Sequence, residues 1–252
     1  MSALKISVII PTYNERENIE KLIPLVDSYL RGLNYEIIIV DDNSPDGTAA
    51  VAEALSAKYP VRVIKRPCKM GLTSAIYDGI RTASGDVVVV MDADLQHPPS
   101  LIPKLIKRLE DCELVIASRY VKGGSARGLS LKRYIVSIGA TLLARLLVAG
   151  CRKIRDPVSG YFAARREALS AWKPIEPRGY KALVEILGTL KLSGVCEEPY
   201  VFEGRVSGGS KLSRQEVISY VKTIYKLNKK GFITLVVLVT GLAITLLYLI
   251  VK

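Results

Sequence analysis

The sequence predicts an α/β fold, a mostly parallel sheet with helices on both faces. Three observations carry this. Short runs rich in Val and Ile recur at 6–10, 35–40, 61–65, 87–91 and 114–118, with the β-branched density of strands buried on both sides. Between the earlier runs lie stretches with helical spacing of apolar residues, at 16–30, 48–57 and 71–83. Repeated β-α-β units of this kind build a parallel sheet with crossover helices. Polar and acidic residues then gather just after the runs, where an open sheet of this type binds ligands.

In order, 6–10 is the first strand and Pro11-Thr12-Tyr13-Asn14-Glu15 its exit loop. Pro11 stiffens the exit, Tyr13 offers a ring face for a base, and Glu15 an acceptor for base or ribose; Asn14 is suited to cap the following helix. The second strand ends in Asp41-Asp42, one of which can accept from base or ribose. Asn43, Ser44 and Asp46 have the chemistry of a turn. The fourth run, Val87-Val88-Val89-Val90-Met91, stops at Asp92-Ala93-Asp94, with Gln96 two residues on and Pro98-Pro99 ending the loop. One Asp here would read as a helix cap. Two carboxylates at this spacing repel unless a cation lies between them. Oxygen donors of this kind suit Mg²⁺ or Mn²⁺, whose shells are completed by water and substrate phosphates.

The second half is different. Gly123-Gly124-Ser125-Ala126-Arg127-Gly128 is a flexible basic loop. The stretch 131–148 is apolar on a broad helical face but broken by Lys132, Arg133 and Arg145. It reads as an amphipathic helix in a membrane interface, the alternative being a core helix. A strand is expected at 161–164 after Asp156-Pro157-Val158-Ser159-Gly160, with Asp156 either a base or a structural cap. The stretch 215–228 repeats the amphipathic pattern. Residues 232–251 then run uncharged for about 30 Å, the thickness of a bilayer core. Lys226, Lys229 and Lys230 precede that run and only Lys252 follows it, which places the large domain on the cytoplasmic side of a single C-terminal span. The expected division is a domain at 1–212, an interfacial helix at 213–230 and an anchor at 231–252. The chain begins without a signal peptide pattern.

Lys and Arg outnumber Asp and Glu 36 to 24, a net charge of +12, which favours an anionic partner. Nucleic acid is not expected, because zinc-ligand spacing, a helix-turn-helix pattern and an aromatic RNA motif are all missing. A membrane surface or a phosphorylated substrate fits better. Cys68, Cys112, Cys151 and Cys196 are scattered and read as reduced thiols of a cytosolic domain. The sole histidine, His97, excludes a multi-histidine metal site. Neither a P-loop nor a G-x-G-x-x-G follows a strand.

The runs VIIPTYNERENI, IVDDNSPDGT and VVVMDADLQHPP resemble glycosyltransferase family 2. DADLQHPP, DPVSGYFA and GRVSGGSKLS are similar to the dolichyl-phosphate mannose synthases and related polyprenyl-phosphate glycosyltransferases, a likeness that covers about 6–212. The resemblance implies a nucleotide-diphospho-sugar transferase fold of GT-A type. It implies that Pro11, Tyr13, Glu15, Val40 and Asp42 contact the nucleoside. Asp92, Asp94 and Gln96 would hold the metal, with Ala93 near the ribose. Arg119, after the strand at 114–118, would lie between donor and acceptor phosphates; Asp94 and Arg119 are the expected catalytic residues. Arg133 and Ser137, i and i+4 on the amphipathic helix, would meet a lipid phosphate. Arg205 and Lys211 flank a Gly-rich loop mobile enough to close over a diphosphate. The implied reaction is inverting transfer of one hexose, mannose from GDP-mannose, to a polyprenyl (dolichyl) phosphate at the membrane. A UDP-sugar-dependent glucosyltransferase and a non-catalytic sensor of anionic ligands are the alternatives. A processive polymerase is disfavoured because Q-x-x-R-W is missing and the sole Trp172 lies in Ala171-Trp172-Lys173-Pro174.

Overall fold

The computed structural model describes residues 4–204 and 214–251. Its first half alternates strand and helix: β1 (Lys5–Thr12), α1 (Arg16–Leu30), β2 (Asn34–Asp41), α2 (Thr48–Leu55), β3 (Val61–Lys65), α3 (Leu72–Thr82), β4 (Val87–Val90), α4 (Ile102–Arg108) and β5 (Leu114–Ser118). There follow α5 (Leu131–Leu147), β6 (Phe162–Arg165), α6 (Ala182–Thr189), β7 (Val195–Pro199), α7 (Arg214–Leu227) and α8 (Lys229–Val251). One seven-stranded sheet runs in the order β3-β2-β1-β4-β6-β5-β7. Only β6 is antiparallel to its neighbours, β4 and β5; the other pairings are parallel.

Successive strand residues point to opposite faces, and here both faces are covered. Val8, Ile10, Ile37, Ile39, Val87 and Val89 pack under α1, α2 and α4. Ile9, Ile38, Val40, Val88 and Val90 pack on the other side against α3, α5, α6 and α7. The central strands β4 and β5 are therefore buried on both faces, which is why they read as unbroken apolar runs.

The cysteines correct the expectation of reduced thiols. Cys112 and Cys196 form a disulfide, while Cys68 and Cys151 are free. The pairing was hidden in the sequence because the two lie 84 residues apart. The parallel pairing of β5 with β7 sets Val115 beside Cys196, which brings the Cys112 and Cys196 Cα atoms to 6.1 Å, within bridging range.

The amphipathic stretches form helices with two different sides. On α5, Thr141, Ala144 and Leu147 are buried, whereas Leu131, Ile135, Leu142 and Leu146 are exposed, all four by more than 57 %. One face of α5 therefore packs in the core, and the opposite apolar face is exposed. On α7, Tyr220, Thr223 and Ile224 are buried and Val217, Ile218, Val221 and Tyr225 exposed. Tyr220 donates its hydroxyl to the Ala140 carbonyl at 2.6 Å, and Asn228 donates to the Leu147 carbonyl at 2.8 Å, so α7 is fastened along α5. Among the described residues no helix is long and apolar enough to cross a membrane, and the expected single span is not recovered there. α8 runs as one helix over Lys229–Val251. Its side chains Val236, Val237, Leu238 and Val239 are all exposed, so this helix has no covered face there.

Closing a loop of this length with a disulfide stabilises by about 4 kcal/mol when the unfolded chain is otherwise free. Cys112→Ser is expected to lower the melting temperature by roughly 10 °C. A melt of reduced against oxidised protein, with the serine variant as control, checks it.

Candidate active site

The chain leaves β1 toward β2 on one side and returns as β4 on the other. Helices on the two sides of such a switch point diverge, opening a crevice at the carboxyl ends of the strands. Three backbone irregularities mark this edge. Asn14, Asn43 and Leu95, each just past β1, β2 and β4, have φ of 56°, 58° and 61°. Asn enters this left-handed region readily, but Leu does not. The strain at Leu95 folds the chain back so that the Gln96 N–H donates to Asp94 Oδ1 at 3.2 Å.

On the β1–β2 side, Pro11 and Val40 are buried partners across the ladder. Tyr13 is half-buried, with the Lys69 ammonium 3.7 Å from its ring centre. Glu15 accepts from Asn18 Nδ2 at 2.7 Å. Asp41 is consumed by its turn, accepting from Thr12 and from the Ser44 backbone and hydroxyl. Asp42 accepts from Arg66 and from the Gly71 N–H at 2.9 Å. Arg66 is itself buried and also donates to Ser74. Gly71 has φ +105°, and a Cβ there would strike the Arg178 backbone. Of the two adjacent carboxylates, Asp41 is held within its own turn and Asp42 by Arg66 and the Gly71 N–H.

On the β4 side, Ala93 is buried and the Asp92 side chain is 42 % exposed. The Asp92 N–H donates to Nδ1 of His97 at 2.9 Å. His97 is buried and stacked on Tyr161, and burial pushes it down to about 4. It is therefore the neutral imidazole with its proton on Nε2, 3.8 Å from Asp92 Oδ2. Gln96 is buried and donates its amide to the Glu203 carbonyl at 2.7 Å, tying this loop to the chain beyond β7. An open groove of about 540 Å³ lies alongside, between 127–130 and 201–204.

Arg119, at the end of β5, is 9 % exposed and meets Asp156, which is fully buried. Its Nε and Nη2 donate to the two carboxylate oxygens at 2.8 and 2.7 Å, and its backbone N–H adds a third bond at 3.0 Å. Burial opposes the Arg119 charge, but the Asp156 bonds outweigh it, and the guanidinium titrates above its ordinary range. Both oxygens of Asp156 are thus engaged by Arg119. Next to Arg119, Tyr120 donates its hydroxyl to Ser137 on α5 at 2.9 Å, which places Ser137 near the end of β5. Arg133 is half-buried one turn earlier. Arg205 and Lys211 lie outside the described residues.

Arg66, Lys69 and Lys181 are cations the sequence reading did not single out. Lys181, at the start of α6, donates to the Val158 carbonyl at 2.8 Å. Burial and the nearby Arg119 cation push it down to about 8, opposed by Asp92 and Asp156. In the sequence it is one lysine at a helix start, without a motif to distinguish it from a solvated charge.

Residues 7–172 match the sequence profile of Glycosyl transferase family 2. The chain belongs to this family. As a family 2 transferase it is 50% identical over 227 residues to the dolichol-phosphate mannosyltransferase of Pyrococcus furiosus, covering 90% of this chain and 64% of that relative. It is 35% identical to the Saccharomyces cerevisiae dolichol-phosphate mannosyltransferase over 98% of this chain and 96% of the relative. Among solved structures it is similar to glucosyl-3-phosphoglycerate synthase of Mycobacterium tuberculosis in complex with Mn²⁺, UDP and glucosyl-3-phosphoglycerate. That match has a TM-score of 0.68 and 26% identity over 90% of this chain and 80% of the other. The fold is α/β of GT-A type, with a mixed, mostly parallel sheet.

Asp156→Asn removes the charge that balances a buried guanidinium. The unfolding free energy is expected to fall by about 3 kcal/mol, read as a lower denaturation midpoint at unchanged m-value.

Proposed function

We propose that this chain is a dolichol-phosphate mannosyltransferase, which transfers one mannose from GDP-mannose to a polyprenyl (dolichyl) phosphate with inversion. The observation that carries the reading is a division of charge along one sheet edge. Asp92 and Asp94 stand at the switch point, and the Arg119 cation stands two strands away, beside the helix that carries Arg133 and Ser137. The relatives of that name, at 35–50% identity, support it.

The donor end is assigned to Pro11, Tyr13, Glu15, Val40, Asp42 and Ala93, with Arg205 and Lys211 as further donor contacts. Among the described residues no group of three or more His, Cys, Asp or Glu side chains is placed to hold a metal ion. The two carboxylates with Gln96 nevertheless fit a hard cation, since the donors are oxygens and Asp92 is open to solvent. Asp92, Asp94 and Gln96 are the residues that would hold Mg²⁺ or Mn²⁺; structures similar to this one contain Mn²⁺ or Mg²⁺ with UDP. When bound, such a cation supplies Lewis-acid stabilisation of charge on the nucleoside diphosphate.

The chain's own residues do the rest. A lipid phosphate monoester, with a second pKa near 6 by analogy with phosphorylated side chains, is largely dianionic at neutral pH and needs no strong base. Arg119 remains a cation throughout and faces both phosphates; attack from the side opposite the leaving diphosphate inverts the anomeric carbon. Arg119 is pre-aimed by Asp156, so its charge needs no reorganisation when negative charge moves. Arg133 and Ser137 receive the lipid phosphate.

The protein sits on a membrane. The exposed apolar stripes of α5 and α7 are suited to the interface. The uncharged run 232–251, carried on α8, serves as the C-terminal anchor after the domain at 1–212 and the interfacial helix at 213–230. The lysines at 226, 229 and 230 hold the domain on the cytoplasmic face.

Asp94→Ala is expected to lower transfer by at least about 100-fold while leaving the fold intact, since the side chain lies at the sheet edge. A radiolabelled GDP-mannose and UDP-glucose panel, with and without chelator, measures this; chelator-resistant turnover by Asp94→Ala, or a preference for UDP-glucose, would sink the respective assignment. Removal of 232–252 should leave nucleotide binding intact and vesicle binding weaker and salt-sensitive. Flotation on anionic vesicles at low and high salt reads it, and a truncated protein that ignores vesicles would show that α5 and α7 do not bind membranes.

A further inference from the structure

Arg119 is held from two directions, and only one is obvious from its own contacts. Its strand, β5, pairs in parallel with β7, so that Ile116 lies beside Glu197 and Ser118 beside Pro199. Glu197 is half-buried, and both its carboxylate oxygens accept from backbone. Its Oε2 accepts the Arg155 backbone N–H at 2.8 Å and its Oε1 accepts the Asp156 backbone N–H at 2.9 Å. One carboxylate thus straddles two consecutive peptide groups. The second of these belongs to the residue whose side chain receives the Arg119 Nε and Nη2. The residue before Glu197, Cys196, is pinned to Cys112 by the disulfide, and the one after it, Glu198, is paired with Lys104 at 2.5 Å.

We infer that Glu197 is a positioning residue for transfer, acting through the Asp156 backbone to set the direction of the Arg119 guanidinium. The inference rests on the reading of Arg119 as the cation between donor and acceptor phosphates. Two hydrogen bonds from adjacent N–H groups fix both the position and the rotation of the 155–156 peptide. The bidentate Arg119–Asp156 pair is planar and rigid, so it carries that rotation to the guanidinium. The Nη1 end takes no part in the clamp, and its direction follows from the rest. A displacement of about 1 Å at a charge-stabilising group costs up to 100-fold in rate.

Glu197→Gln makes the test, because the amide nitrogen would confront one of the two N–H groups. In the full chain in vesicles, kcat is expected to fall roughly tenfold, with the KM for GDP-mannose within twofold and GDP binding unchanged. Glu197→Asp, which keeps two acceptors, should retain more activity than Glu197→Gln. The same substitution is then made in Arg119→Ala, measured at its residual rate, where it should change kcat by less than twofold because the group it aims is gone. An equal loss in both backgrounds would show a general structural effect and overturn the inference. So would an unchanged kcat in folded Glu197→Gln alongside a crippled Arg119→Ala. Full transfer by Arg119→Ala would overturn the assignment of Arg119 and this inference together. If Glu197→Gln does not fold, the cycle is run with Glu197→Asp under the same criteria.

Discussion

A parallel sheet covered on both faces leaves its polar chemistry one place to stand, the rim where strands give way to helices. Here every interior position of β1, β2 and β4 beyond their first residues is apolar or sealed, and the two hydrophobic clusters meet only through the sheet. The backbone bonds of the strands are satisfied laterally, so their ends can carry side chains with unusual demands. The rim holds three left-handed turns, a solvent-exposed carboxylate and two buried ion pairs within a few strands of one another. Such features cost stability individually, and the apolar slab beneath offsets them.

The charges on this rim are secured in different ways. Arg66 and Arg119 are both buried, and each is matched to a carboxylate that it also orients. Asp92 is more exposed, with its backbone N–H bonded to His97 Nδ1 and its Oδ2 3.8 Å from His97 Nε2. Electrostatic preorganisation of this kind is effective because its cost is met on folding and not at each turnover.

Strand positions were legible because burial on both faces removes ambiguity: 61–65 and 114–118 match β3 and β5 residue for residue. The placing of Tyr13, Asp42, Asp92 and Asp94 just past the ends of β1, β2 and β4 was legible for the same reason, since each follows an apolar run. What depends on contacts distant in sequence was not. Cys112 with Cys196, Lys181 with Val158 and Glu197 with Asp156 are joined across more than twenty residues, and nothing local in Lys181 or Glu197 separates them from surface charges. β7 was missed because Val195-Cys196-Glu197-Glu198-Pro199 alternates weakly and ends in proline. The antiparallel direction of β6 was equally invisible, since direction depends on the route of the connection and not on the strand's residues.

The single histidine has a consequence for how the molecule responds to protons. Imidazole is the side chain that ordinarily changes charge between pH 5 and 8. In this chain it is committed as an acceptor to the Asp92 N–H, and burial has moved it to about 4. The groups left to titrate around neutrality are unusual ones: Glu185, raised by burial to about 7, and Lys181, lowered by burial to about 8. Glu185 sits under the segment that covers the start of α3, accepting the Ile175 and Glu176 N–H groups, so acidity and alkalinity are sensed by different parts of the protein. Toward acid, the folded state takes up a proton at Glu185 before the unfolded chain would, and stability rises as pH falls from about 7 to the ordinary carboxylate range. Toward alkali, the first positive charge to be lost beside Asp92 and Asp156 is that of Lys181, and the rim becomes more negative there while Arg119 keeps its charge.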